Sequence, residues 1–320
     1  REQLSEHLKR LYDVTYDPET ELMITAGSSE AFDLALRAVI DQGDEVICPD
    51  PYYVAYPPAI ALAGGNFVPI RTTAQDNFQL LAEEVRPKLT TRTKALLFGY
   101  PANPTGATMS KKGLLKLAQL ANEHDLAVIS DELYDRLTYE EPHTCFASLP
   151  GMRNRTILIG GFSKAYAMTG WRLGYGAGPQ ELIKEISKIQ SQSTTHTSSI
   201  SQAAAIEALN NSDEFINKNK KIFQERRDLI FSKLKDFSPL QVFLPQGSFY
   251  VFVCCRELQK DRSGGMNHQQ RQTQIPIPFL GTLRRLSVIY SGQTLLYPYR
   301  WHVSQCIRKF LNIAFCRLWL

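Results

Sequence analysis

Six cysteines are present (Cys48, Cys145, Cys254, Cys255, Cys306 and Cys316), but no two stand in a C-x-x-C spacing. The six histidines include no H-E-x-x-H. Neither a zinc site nor a disulfide framework is indicated, no metal is expected, and reduced thiols point to the cytoplasm. Long apolar runs are missing as well. No stretch approaches the roughly 20 residues that a membrane-spanning helix needs, so no membrane role is expected. Runs of one charge are also lacking: the 36 Lys and Arg residues are scattered and the net charge is only +4, so no nucleic-acid partner is expected. After Arg1, the segment Glu2 to Leu11 reads as a charged amphipathic helix without the apolar region of a signal peptide. The chain is expected to be a fragment whose true start is missing.

What is present is the composition of a globular protein, 43% hydrophobic and 21% charged over 320 residues, long enough for one large domain and a smaller companion. From about Leu22 to Gly176 short apolar runs alternate with helical stretches, the pattern of βαβ units building a mostly parallel sheet. Candidate strands are Leu22 to Thr25, Glu45 to Cys48, Ala95 to Gly99, Leu126 to Ser130, Thr156 to Ile159 and Arg172 to Gly176. Ser28 opens a helix over Glu30 to Ile40, and Ser110 is an N-cap before Lys111 to His124. From Glu214 to Lys235, apolar residues at helical spacing among many charges predict a long, partly exposed helix linking two domains. The expected division is a large domain over 1–212 and a small one over 213–320.

Ligands of open α/β sheets bind outside the carboxyl ends of the strands, so the residues just after each strand deserve inspection. After the first comes Ala26-Gly27-Ser28-Ser29 at a helix start, where free N–H groups and two hydroxyls could hold a phosphate. After the second come Tyr52 and Tyr53, offering an aromatic face; after the third, the turn Tyr100 to Gly106 presents Asn103. The fourth is followed by Asp131 and, one helical turn on, Tyr134. The fifth leads into Gly160-Gly161-Phe162-Ser163-Lys164, with Arg172 eight residues further. Each residue also has a plainer use. Asp131, Ser28 and Ser29 can cap helices, Asn103 can serve the turn before Pro104, Tyr52, Tyr53 and Tyr56 can be packing aromatics, Lys164 a solvated loop lysine, and Trp171 is expected in the core.

Three stretches carry a resemblance that runs from about Tyr12 to Tyr250: N-P-T-G at Asn103 to Gly106, S-D-E-x-Y at Ser130 to Tyr134, and S-K-A-Y-A-M-T-G-W-R-L-G-Y at Ser163 to Tyr175. In that order they resemble the class I/II aminotransferases of fold type I, which depend on pyridoxal phosphate. The resemblance implies an α/β fold with a mostly parallel seven-stranded sheet flanked by helices, and a smaller, incomplete α+β C-terminal domain. It implies an amino group moved between an L-amino acid and a 2-oxo acid, in a homodimer. Lys164 would carry the cofactor as a Schiff base and act as the proton shuttle, and Asp131 would pair with the pyridine nitrogen. Tyr134 and Asn103 would bond the ring's 3-oxygen, Tyr53 would stack on the ring, and Ser28, Ser29, Ser163 and Arg172 would hold the phosphate. The same cofactor residues serve lyases and synthases of this fold, and a non-catalytic relative or a regulator domain would also keep them.

The family's early glycine- and tyrosine-bearing segment has no counterpart in the given sequence. Pro245 to Tyr250 resembles the small domain's first strand, whereas the pattern dissolves from about Cys254, as in Gln269 to Gln272 and Trp301 to Leu320. The nearest match to the family's carboxylate-binding arginine is Arg285 in Arg285-Leu286-Ser287. The implied behaviour is a chain that holds cofactor better than it turns over.

Overall fold

The computed structural model describes residues 1–237 and 240–254. They fall into two compact units, one of Arg1–Glu225 with Gln246–Ser248, the other of Arg226–Pro245 and the chain from Phe249. In order, the elements are α1 (Glu2–Tyr12), β1 (Leu22–Thr25), α2 (Ser28–Val39), β2 (Glu45–Asp50), α3 (Tyr56–Leu62), β3 (Asn66–Arg71), α4 (Ala82–Val85), β4 (Thr93–Gly99), α5 (Lys111–Glu123), β5 (Ala127–Asp131), β6 (Thr156–Gly161), β7 (Gly174–Ala177), α6 (Gln180–Gln192), α7 (Ser199–Asn211), α8 (Asp213–Leu234), β8 (Gln241–Val242) and β9 (Val253–Cys254).

Seven strands form one sheet in the order β1-β7-β6-β5-β4-β2-β3. The pairs β2–β3, β2–β4, β4–β5 and β5–β6 are parallel, and β7 alone runs against its neighbours β6 and β1. The mostly parallel seven-stranded sheet implied by the motifs is the sheet that forms. The middle residues of its inner strands, such as Val46-Ile47 of β2, Ala95 to Phe98 of β4, Val128-Ile129 of β5 and Ile157 to Ile159 of β6, are apolar because both faces are covered. Successive side chains of a strand point to opposite faces. Ile157 and Ile159 accordingly join a cluster with Phe32, Ala35 and Leu36 of α2, Ile60 of α3 and Ile183 of α6. Leu158, between them, joins a second cluster with Leu4 and Leu8 of α1 and Ala205 and Leu209 of α7.

Local chemistry explains the helix starts. The Ser110 hydroxyl accepts from Gly113 N at 3.1 Å, the expected N-cap of α5. At α2 the expectation is corrected. The helix begins at Ser28, Gly27 is its N-cap with φ 91, and the Glu30 carboxylate reaches back to accept from Ala26 N. The edge strand β3 has no counterpart among the strands expected from sequence, because its NFVPIR run is half-exposed and carries Pro69, which only an edge or a bulge tolerates. Arg172 is not in a strand: it follows a short 3-10 turn, with φ 50, and β7 starts two residues later. Nor is Trp171 in the core, being 45% exposed.

Segment 246–248 packs within the first unit, Gly247 bridging Thr138 and Gln246 N donating to Gly106 O at 2.9 Å, so it is not the small domain's first strand. A Cβ at Gly247 would stand 2.7 Å from Pro101 Cβ and 2.9 Å from Leu137 O, which is why glycine is required there. In the second unit β8 pairs antiparallel with β9, and the buried Arg227 donates to Pro245 O at 2.9 Å. Arg285, the Gln269 to Gln272 stretch and the Trp301 to Leu320 tail lie outside the described residues. Among the described residues no helix is long and apolar enough to cross a membrane.

Candidate active site

The sheet register brings the suspected residues to one edge. Gly174, the first residue of β7, pairs with Thr25 at the end of β1 and with Gly161 at the end of β6. Because β7 is reversed, the residues leading into it meet the residues leaving its two neighbours. Arg172, Ser28 and Lys164 are thereby drawn together from positions as far apart in sequence as 28 and 172. One pairing further, Gly99 at the end of β4 faces Asp131 at the end of β5.

The start of α2 forms a cradle. The first N–H groups of a helix have no intrahelical acceptor and its dipole favours an anion. Two glycines expose that end. A Cβ at Gly174 would collide with Gly27 C and Ser28 N, and a Cβ at Gly27 would collide with Nη2 of Arg172. The Arg172 guanidinium lies across this spot, donating to Thr169 O at 3.1 Å and to Ala26 O at 3.3 Å. Ser28 is buried at the helix start, Ser29 exposed, and Ser163 buried, its carbonyl accepting from the Thr169 hydroxyl at 2.8 Å.

Asp131 and Lys164 are adjusted in opposite senses. Burial lifts the Asp131 carboxyl to about 6; the Tyr56 hydroxyl and Leu133 N–H pull it back, Glu132 pushes it up and Lys164 draws it down. Burial, then the positive charge of Arg172, lowers the Lys164 ammonium, while Asp131 raises it. The amine thus spends more time neutral, the form that attacks a carbonyl carbon.

Around Asp131 the structure adds a residue that sequence reading left among the packing aromatics. The Tyr56 hydroxyl donates to Asp131 Oδ2 at 2.9 Å, and Leu133 N donates to Oδ1 at 3.3 Å. Tyr53 stands edge-on to Tyr56, ring centroids 5.6 Å apart, and to Phe32 at 6.3 Å. The segment after β5 is pinned by buried Glu132, whose Oε1 accepts from Ser130 Oγ at 2.9 Å and Phe146 N at 2.8 Å, and whose Oε2 pairs with His143 Nε2 at 2.6 Å. Tyr134 is buried on that segment, in a turn and not a helix, and Asn103 is half-buried in the loop after β4.

These donors fit a phosphorylated pyridine aldehyde. A glycine cradle with an arginine suits a dianionic phosphate, a half-buried carboxyl lifted to about 6 suits a protonated ring nitrogen, and a lysine of lowered basicity suits an aldehyde carbon. No group of three or more metal-ligating side chains is found among the described residues.

Comparison with known proteins points the same way. The sequence description of the family "Aminotransferase class I and II" matches residues 1–274. An aspartate aminotransferase of Pyrococcus abyssi is 40% identical over 255 residues, 79% of this chain and 65% of that protein. Among solved structures, an aromatic aminotransferase from Pyrococcus horikoshii superposes with a TM-score of 0.77 at 40% identity, covering 79% of this chain and 68% of that one. Aspartate aminotransferase from Thermus thermophilus with maleate gives 0.76 at 40%, covering 79% and 66%. The chain thus spans about two thirds of the length of these relatives.

Proposed function

Because the chain belongs to the class I and II aminotransferases, a family dependent on pyridoxal phosphate, we propose that it moves an amino group between an L-amino acid and a 2-oxo acid with Lys164 carrying the cofactor. When bound, pyridoxal phosphate supplies an electron sink for the charge that develops at the substrate Cα. The protein's part is to bind, orient and handle protons. Arg172, Ser28, Ser29 and Ser163 would hold the phosphate near the start of α2, and Tyr53 would offer its ring to the cofactor. Asp131 keeps a proton on the ring nitrogen, and Asn103 and Tyr134 donate to the 3-oxygen. Lys164 would hold the cofactor through its amine, and that amine, of lowered basicity, would be the group that takes up and returns the substrate Cα proton.

The observation that carries this reading is the electrostatic link between Asp131 and Lys164, each displaced by burial toward its neutral form and each drawn back by the other. Such paired, opposite displacement of two interacting groups is characteristic of sites that handle protons. We read the active form as a cytoplasmic homodimer. The reading is supported by the buried free thiols Cys48 and Cys145 and by two exposed apolar side chains, Trp171 and Ile200, the latter 74% exposed and next to Ser201, whose hydroxyl donates to Trp171 O.

The test is a spectral titration of the purified chain with pyridoxal phosphate, then with a panel of L-amino acids, followed by assay for the 2-oxo acid. Conversion to the amino form of the cofactor with release of a 2-oxo acid supports amino transfer. Release of ammonia, a thiol or a cyclised product instead would assign the chain to a lyase or synthase.

A further inference from the structure

Asp131 sits at the end of a strand, where nothing in the strand itself fixes rotation of its carboxyl about the Cβ–Cγ bond. A carboxylate meant to receive an N–H from a flat ring must offer a lone pair in one direction, so something has to hold it. The structure supplies two contacts, the Leu133 amide on Oδ1 at 3.3 Å and the Tyr56 hydroxyl on Oδ2 at 2.9 Å. The second is the shorter and comes from a different element, α3, 75 residues away in sequence.

Tyr56 is itself immobilised. It is 3% exposed, and its ring packs edge-on against Phe32 at 5.7 Å and Tyr53 at 5.6 Å. The space for its hydroxyl comes from Gly99. A Cβ there would stand 2.6 Å from Tyr56 Oη and 3.4 Å from Asp131 Cβ. Three elements, α3, β4 and β5, therefore converge on a single hydrogen bond, and the residue types at 56, 99 and 131 are mutually fitted.

We infer that Tyr56 is a positioning residue of the amino-transfer site, its hydroxyl fixing the direction of the Asp131 carboxylate and favouring its ionised form. The inference rests on the reading that Asp131 serves the ring nitrogen. The groups facing Asp131 are Tyr56 from α3, Lys164 from the loop after β6, and Glu132 and the Leu133 N–H beside it; those around Tyr56 are Asp131, Cys48 of β2 and Tyr53. Burial, with Asp131 next, holds the Tyr56 phenol well above 10, so it remains a proton donor throughout the working pH range. A hydroxyl that stays protonated donates more strongly to the charged carboxylate than to the neutral acid, so it favours the ionised form.

The experiment compares the full chain with Tyr56→Phe, Gly99→Ala and Asp131→Asn, each with and without added pyridoxal phosphate. Carbon-13 labelling of aspartate gives the titration of Asp131, identified by the signal lost in Asp131→Asn. A hydrogen bond to a charged group corresponds to roughly a tenfold or greater change in proton affinity. Tyr56→Phe keeps the ring packing and is expected to raise the Asp131 midpoint by about one pH unit. Gly99→Ala keeps the hydroxyl but crowds it, shifts the midpoint in the same direction, and supplies the answer if Tyr56→Phe fails to fold. With cofactor and an amino acid, Tyr56→Phe lowers kcat about tenfold and leaves KM nearly unchanged, because the lost contact acts on the reacting ring and not on substrate binding. An Asp131 midpoint that does not move in a folded variant overturns the inference. If Asp131→Asn abolishes turnover while Tyr56→Phe moves neither titration nor kcat, only the role of Tyr56 fails; if Asp131→Asn leaves spectrum and rate intact, the functional reading of Asp131 fails first.

Discussion

Gly27 and Arg172 share one small volume: the guanidinium occupies the space that a Cβ at position 27 would fill, and the glycine holds a φ of 91 that other residues rarely adopt. Gly27→Ala should strain the backbone and push Arg172 off the start of α2. Losing a charge-assisted phosphate contact weakens binding about 10- to 100-fold, so the Kd for pyridoxal phosphate should rise by that factor. Fluorescence titration of cofactor into the variant checks this, and an unchanged Kd would separate the cradle from phosphate binding.

Asp131→Asn should make the cofactor-free chain more stable and the loaded chain slower. The folded value of about 6 lies above the unfolded 3.8, so the native state holds its proton more tightly. Stability is then fully present below about 3.8 and falls as pH rises through about 6, leaving a cost of about 3 kcal/mol at pH 7 that an amide avoids. Half-reaction rates should drop by orders of magnitude, because an amide cannot keep the ring nitrogen protonated. Urea denaturation at pH 5 and 7 and stopped-flow absorbance read the two effects separately.

How much of this was legible beforehand can be read from the same residues. Six of the seven strands of the main sheet show as apolar runs with turn residues after them, and Asp131 and Lys164 stand out because they follow such runs inside long motifs. β3 does not, since an edge strand with Pro69 loses the apolar continuity that marks a buried one. The Tyr56–Asp131 bond joins residues 75 apart in the chain and depends on Gly99 across a strand pair, so no local pattern announces it. The collision between positions 27 and 172 is likewise created by the reversal of β7, a property of topology and not of either segment.

A prediction on acid stability follows from His7, 6% exposed on α1. Arg10 can only donate, so Nδ1 accepts from its Nη2 at 3.1 Å and Nε2–H donates to Tyr166 Oη at 3.1 Å. Burial, with Arg136 and Arg10 next, lowers the imidazole to about 4 from 6.5. The unfolded chain takes up a proton over that window and the native chain does not, so stability present above about 6.5 is lost as pH falls toward about 4, by about 3 kcal/mol. His7→Gln should flatten the slope of stability against pH by about one proton over that window. An unaltered slope would show that His7 is not the group responsible.

Glu132 makes a different prediction, because it is 4% exposed and its removal strands a partner. Burial lowers His143, but the adjacent Glu132 carboxylate outweighs it and the net displacement is upward. The pair's contribution is therefore present below the ordinary histidine value of 6.5 and is lost as pH rises through the elevated one. Glu132→Ala should destabilise the chain by about 3 to 5 kcal/mol at pH 6, with a smaller loss at high pH. Denaturant midpoints at pH 6 and 9 test it, and a loss independent of pH would assign the effect to packing alone.

The central claim is that Lys164 carries the cofactor, and the most direct measurement is chemical. The purified chain is incubated with pyridoxal phosphate, reduced with borohydride, digested and mapped by mass spectrometry. The account predicts one pyridoxyl-phosphate adduct, on the peptide containing Ser163-Lys164-Ala165, and its loss in Lys164→Ala. An adduct on another lysine, with Lys164 unmodified, would contradict it.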